Sequence, residues 1–259
     1  MGDNPILQTE REQPRPEMAH VLFMDVVGYT KLLSDVQSRV VQQLRSAVRG
    51  SSGYKQAKEE GSLICIPTGD GMALVFFAND VGAPLRTALE VTAALRAEAT
   101  FGLRMGLHSG TVFRVPDING TESIAGAGIN IAQRVMDCAD AGHILMSEVH
   151  ASFLREFESL QPHLHAIGEA EVKHGVRVAL VNYWDGKAGR AALPERLSAG
   201  KKDAAVAEPK NGAPPIRSGR RVALIYRRGI ELDEILLAAL VVALRERGFE
   251  VFIDRHLRV

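Results

Sequence analysis

The chain has 259 residues, with 31 Lys and Arg against 31 Asp and Glu, 46% apolar residues and two cysteines, a length that accommodates one complete domain with an appendage or two small domains. Zero formal charge leaves no footprint for an extended phosphate backbone, so no nucleic-acid polymer is expected as a partner, although a local basic pocket stays open. Cys65 and Cys138 stand in no CxxC and beside no histidine cluster, which argues against a disulfide scaffold or a zinc site and for a reducing cytoplasm. The longest apolar run, near Leu236 to Leu244, is about half of the roughly 20 residues a membrane span needs, and no basic-then-apolar leader opens the chain, so no membrane contact is expected.

Residues 1–17 are polar, carry Pro5, Pro14 and Pro16, and read as a flexible arm. From Ala19 the run HVLFMDV predicts a strand ending at Gly28, and Leu32, Leu33, Val36, Val40, Val41, Leu44 and Val48 recur at helical spacing, up to a break at GSSG. SLICIP and MALVFF, separated by TGDG, predict a hairpin. A helix follows over 80–98, strands over 102–108 and 111–115, a helix over 126–140, a short strand at HILMS, a helix over 147–158, and two strands within 168–184 around Lys173. This alternation predicts an α+β sandwich, with helices on one face of a mainly antiparallel sheet. Residues 185–219, rich in Gly, Ala, Lys and Pro, read as a linker. Beyond them RVALIYRR, 232–247 and FEVFID predict strand, helix and strand, a unit of about 40 residues that cannot bury both faces of a sheet by itself.

Two aspartates stand out. Asp25 follows four apolar strand residues, where an unpaired carboxylate is costly, and Asp70 occupies a hairpin turn. Two such carboxylates, completed by phosphate oxygens and water, suit a hard divalent ion such as Mg²⁺; alternatively, Asp25 caps the next helix and Asp70 only forms a turn. Gly28, Tyr29 and Thr30 precede a helix expected near Lys31, whose free N–H groups would receive phosphate oxygens. Asn130 and Arg134 are four apart in GAGINIAQRVMD and share a helical face, suited to orienting a sugar and neutralising phosphoryl charge.

In order and spacing, FMDVVGYT, PTGDGMALVF, LRMGLHSG and GAGINIAQRV resemble the catalytic domain of class III nucleotidyl cyclases, the adenylate and guanylate cyclase family, over about residues 18–184. The resemblance implies the ferredoxin-like sandwich of that class and two Mg²⁺ or Mn²⁺ ions per site on Asp25, Val26 and Asp70. It also implies in-line attack of a ribose 3′-oxygen on the α-phosphorus, with Asn130 orienting the ribose and Arg134 serving the transition state. Lys173 falls near the position of a lysine used on the terminal phosphates, with Gly28, Tyr29 and Thr30 completing the triphosphate set. His108 reads as a packed strand histidine. Since family sites form between two domains, a homodimer with two composite sites is implied.

The family's base readout falls on Ile66 and Ser123, and neither the adenine nor the guanine pair is present. Ile66 removes the charged discriminator, Ser123 offers one hydroxyl, Ile124 would touch the base face, and Tyr54 could narrow the pocket. In this the chain resembles the bacterial antiphage (Pycsar) pyrimidine cyclases, which implies UTP to cUMP, or CTP to cCMP, as a second messenger read by a cyclic-nucleotide-sensing effector. Conversion of ATP to cAMP is the alternative; a catalytically inert cyclase-homology domain that dimerises and regulates is the alternative of another class. Residues 220–259 are similar to the opening of a TIR-type domain and carry no position for an NAD-cleaving glutamate.

Overall fold

The period-2 run around Asp25 forms β1 (Pro16–Val27), whose residues alternate between two buried faces. A computed structural model describes residues 15–77, 80–96, 101–118, 120–172, 175–198, 221–224 and 250–253, with side chains described as far as 198. The chain divides into two compact units, Met1–Ala207 and Glu208–Val259.

In the first unit β1 leads through a 3-10 turn at Tyr29–Lys31 into α1 (Ser34–Gly50) and α2 (Ser52–Glu59). The hairpin of β2 (Leu63–Pro67) and β3 (Gly71–Phe76) follows, then α3 (Ala83–Arg96), β4 (Gly102–Pro116) and β5 (Glu122–Ala125). The unit continues through α4 (Ala127–Met136), β6 (Ile144–Ser147), α5 (Glu148–Leu154), β7 (Leu164–Val172) and β8 (Val176–Tyr183). The sheet runs β2-β3-β1-β4-β6-β8-β7, with β5 paired to β4; the β4–β6 pair is parallel and the other pairs are antiparallel.

Helices cover both faces, not one. Leu22, Met24 and Val26 of β1 join Leu44 of α1, Leu85 of α3 and Leu154 of α5 in one cluster, whereas Val21 and Phe23 join Ala132 and Met136 of α4 in another. A sheet covered on both sides explains why β3 is buried along its whole length and reads as a continuous apolar run.

The glycine-rich breaks were misleading in two places. GSSG does not end the helical region, because the chain turns at the extended Ser51 and continues as α2. Gly53 serves helix packing there: a Cβ on it would lie 2.4 Å from Thr87 Oγ1 of α3. The two strands expected over 102–108 and 111–115 are the single strand β4, since Gly110 makes room for Gly128 of α4 instead of a turn. β5 carried no strand signal in the sequence, with four residues too few for a period to show.

The first unit also reaches further than the composition of 185–219 suggests. Asn182 Nδ2 donates to the Arg190 carbonyl at 2.7 Å, His143 Nε2 to Ala192 at 2.7 Å, and the Glu195 N–H to Asp140 Oδ2 at 2.9 Å. With Ala188 buried in the main cluster and Leu197 packed on a third, residues 185–198 lie against the sheet, and any linker starts after them. In the second unit β9 (Arg221–Leu224) and β10 (Glu250–Ile253) pair in parallel, consistent with the two strands expected there; the helix expected over 232–247 lies outside the described residues.

Candidate active site

Backbone register brings the two aspartates to one end of the sheet. Asp25 pairs across β1 and β3 with Gly71, the residue after Asp70, and the Val26 N–H donates to the Asp70 carbonyl at 3.2 Å. Strand β3 comes this close only because residue 71 is glycine, since a Cβ there would sit 2.0 Å from the Met24 carbonyl oxygen.

Asp25 is 8% exposed. Burial pushes its carboxyl above the usual carboxylate range, and the negative charge of Asp70 adds to this, while Arg104 opposes it. Arg104 lies directly across the β1–β4 ladder and donates through Nη2 at 2.7 Å and Nε at 3.0 Å to the same oxygen, Asp25 Oδ2. Its guanidinium also approaches Asp137, just beyond α4, at 3.9 Å. The signal for Arg104 in the sequence is its place in LRMGLHSG, one residue before a buried methionine, where an arginine needs a partner.

The pair of mutually repelling carboxylates fits a divalent cation, which would relieve both the repulsion and the burial cost. Val26, next to Asp25 on β1 and bonded through its N–H to the Asp70 carbonyl, adds a backbone carbonyl to the donor set. Among the described residues no group of three or more His, Cys, Asp or Glu converges, so phosphate oxygens and water would have to complete any coordination shell.

The phosphate cradle expected at the start of α1 differs in form. Gly28 takes a left-handed φ of 76°, and the Tyr29–Lys31 turn separates it from α1, which begins at Ser34 and not near Lys31. The Lys31 N–H is used by the Gly28 carbonyl and the Leu32 N–H by Tyr29, while Gln37 Nε2 donates to the carbonyls of Tyr29 and Leu32. Gly28, Tyr29 and Thr30 thus form a braced 3-10 turn next to Asp25, ahead of α1 and not at its N-terminus.

Asn130 and Arg134 lie on α4, which rests on the sheet through Gly128, Ala132 and Met136. At 100° per residue, Asn130 and Arg134 each sit two positions, or about 200°, from one of these contacts, so they face away from the strands that carry Asp25. Asn130 is exposed and Arg134 half-buried. The chain therefore does not gather its aspartates and its Asn/Arg pair around one point. Lys173 lies outside the described residues.

The residues expected to read the base are also divided. Ile66 and Ile124 pack into the same apolar cluster, on the α4 face. Alternation along β5 turns Ser123 to the opposite side from Ile124. Tyr54 belongs to α2 and shares a cavity with Cys65 and Pro67, the residues on either side of Ile66, so it lies across β2 from Ile66 and does not narrow a pocket with it. Arg114, not singled out by its motif, stacks over the Phe77 ring at 3.8 Å beside the Ile66 cluster and pairs with Glu17 and Glu122. His108 is buried and hydrogen-bonded to Ser147 Oγ at 2.7 Å, a packed strand histidine.

No protein-family model and no curated protein matches the chain. Solved structures do resemble it. The adenylyl cyclase CyaB from P. aeruginosa superposes with a TM-score of 0.56 at 18% identity, over 70% of this chain and 99% of that one. The guanylate cyclase domain of RhGC from Catenaria anguillulae, in complex with GTP, gives 0.54 at 17% identity over 68% and 100% of the two chains. An adenylate/guanylate cyclase/hydrolase from Silicibacter pomeroyi gives 0.53 at 22% identity over 67% and 99%. The first unit thus has the class III nucleotidyl cyclase fold: an α+β unit with an open, mostly antiparallel sheet. No helix among the described residues is long and apolar enough to cross a membrane.

Proposed function

We propose that the first unit is a nucleotidyl cyclase, converting a nucleoside triphosphate to a 3′,5′-cyclic nucleotide and pyrophosphate. The observation that carries this reading is the buried Asp25, held opposite Arg104 and next to Asp70 at one sheet end, on a cyclase fold. Asp25, Asp70 and the Val26 carbonyl would hold Mg²⁺ or Mn²⁺, two per site, which when bound lower the cost of charge on the attacking and leaving oxygens. Arg104 would then turn from Asp25 towards the triphosphate, and the Gly28–Thr30 turn would line its path, with Lys173 on the terminal phosphates. Asn130 would orient the ribose and Arg134 would stabilise the α-phosphoryl charge, both from a second copy of the chain, because their own helix aims them away from Asp25.

The base assignment rests on Ile66 and Ile124. Both are apolar and packed together, so this wall offers no hydrogen bond to the edge of a purine. We infer a pyrimidine substrate, UTP in preference to CTP, and a cyclic-nucleotide messenger in antiphage defence, acting in the cytoplasm through a separate effector. The second unit would be the opening of a TIR-like domain.

The test supplies the purified protein with each of the four ribonucleoside triphosphates and Mn²⁺ or Mg²⁺, and identifies products by mass spectrometry. Preferential cUMP or cCMP supports the whole reading. Predominant cAMP would refute the pyrimidine assignment and leave the cyclase, whereas no product from any substrate, with dimers intact, would mark a regulatory domain without turnover.

A further inference from the structure

On the helical side of the β2–β3 hairpin lies a cavity of about 290 Å³, lined by Arg45, Val48, Arg49, Tyr54, Cys65, Pro67 and Met72. Its floor is apolar: Val48 and Met72 are almost wholly buried, and the Tyr54 ring forms one side. Its rim is cationic. Arg45 and Arg49 stand one turn apart on α1, and Lys58 of α2 lies 5.8 Å from the Tyr54 ring centre. Among the described residues, the charges of Arg45, Arg49 and Lys58 act on the Cys65 thiol. Neither arginine side chain forms an ion pair or hydrogen bond among the described residues.

Like charges gathered at a concave surface repel, and an anion removes the repulsion. Arg49 lies in the last turn of α1, whose C-terminal end contributes about half a negative charge, which three full positive charges exceed. A cavity of this size is at the lower end of the range for small-molecule sites, and an apolar floor below a cationic rim suits a ligand with a ring and a phosphate.

We propose that this cavity binds a small phosphate-bearing ligand with an aromatic body, at a site separate from the candidate active site and independent of its assignment. The phosphate lies between Arg45 and Arg49, and the body rests on Val48, Met72 and Tyr54. Pro67 and Met72 flank the turn that carries Asp70, so occupancy braces the hairpin on which that carboxylate stands.

Cys65 reports on the site directly: it is exposed on the cavity wall, whereas Cys138 is buried. The experiment measures the rate of Cys65 alkylation by the uncharged reagent iodoacetamide in the full chain, with inorganic phosphate, AMP or acetate added at matched ionic strength. AMP is expected to slow alkylation saturably by about tenfold, at concentrations at least tenfold below those at which phosphate acts, with acetate ineffective. Arg45→Gln/Arg49→Gln, both at exposed positions, should abolish the protection, and Lys58→Gln should weaken it several-fold. Equal slowing by all three anions, equal potency of phosphate and AMP, or protection that survives the double substitution would each overturn the proposal.

Discussion

Arg104 and Asp25 face each other across the β1–β4 ladder, and both donating nitrogens of the arginine reach one oxygen of the aspartate, at 2.7 and 3.0 Å. The partnership keeps a buried carboxylate tolerable next to Asp70. Arg104→Ala is expected to lower stability by about 2 kcal/mol in the wild-type background and by less than half of that in Asp25→Asn, because only the first leaves a buried charge without its partner. A double-substitution cycle in urea unfolding measures the difference. Cyclic-nucleotide formation should fall by about a hundredfold or more in either single variant.

The orientation of α4 leads to a complementation test. A chain carrying Asp25→Ala and Asp70→Ala, and a chain carrying Asn130→Ala and Arg134→Ala, should each be inactive alone. Mixed in equal amounts, they should recover up to about a quarter of wild-type activity, since half of the random dimers are mixed and each of those has one intact site. Absence of recovery, with mixed dimers present on native mass spectrometry, would mean that the site is built within one chain.

Gly106 sets how closely α4 approaches β4: a Cβ there would lie 2.3 Å from the Met136 backbone nitrogen and 2.7 Å from the Ala132 carbonyl oxygen. Backbone atoms cannot rotate out of the way, so the helix must move. Gly106→Val is expected to cost at least about 2 kcal/mol in urea unfolding, and to reduce activity with it, because α4 also carries Asn130 and Arg134.

Burial lowers the pKa of His108 to about 4 and, with His20 and His108 nearby, that of His150 to about 3. Both are below the value of an unfolded histidine, so the unfolded chain binds more protons. The stabilising contribution is full above about pH 6.5 and is lost as pH falls towards the folded values. His108 alone should cost about 2 kcal/mol at pH 5 relative to pH 7, and urea midpoints measured across that range should fall. In His108→Asn, whose amide can still meet Ser147 Oγ, the decline should be shallower.

Legibility in the sequence followed the physical reach of each signal. The strand carrying Asp25, the TGDG hairpin and the Asn130/Arg134 helix are local patterns of sufficient length, and the structure has all three elements. α2 and the unbroken β4 were hidden for a common reason. Gly53 and Gly110 have the appearance of chain breaks, but their lack of a side chain serves a contact with α3 in one case and α4 in the other. No local pattern distinguishes these uses of glycine.

By itself the sequence determined the α+β alternation, the placing of one carboxylate at a strand end and another in a hairpin turn, and the spacing that puts Asn130 and Arg134 on one helical face. These depend on periods of two and 3.6 residues, which a linear string carries. Only the tertiary structure decided that helices cover both faces, that residues 185–198 close over the sheet, that Arg104 answers Asp25, and that Tyr54 and Ile66 lie on opposite sides of β2. Each of these is a relationship between elements distant in the chain, fixed by strand register and by which face of the sheet a helix or segment covers.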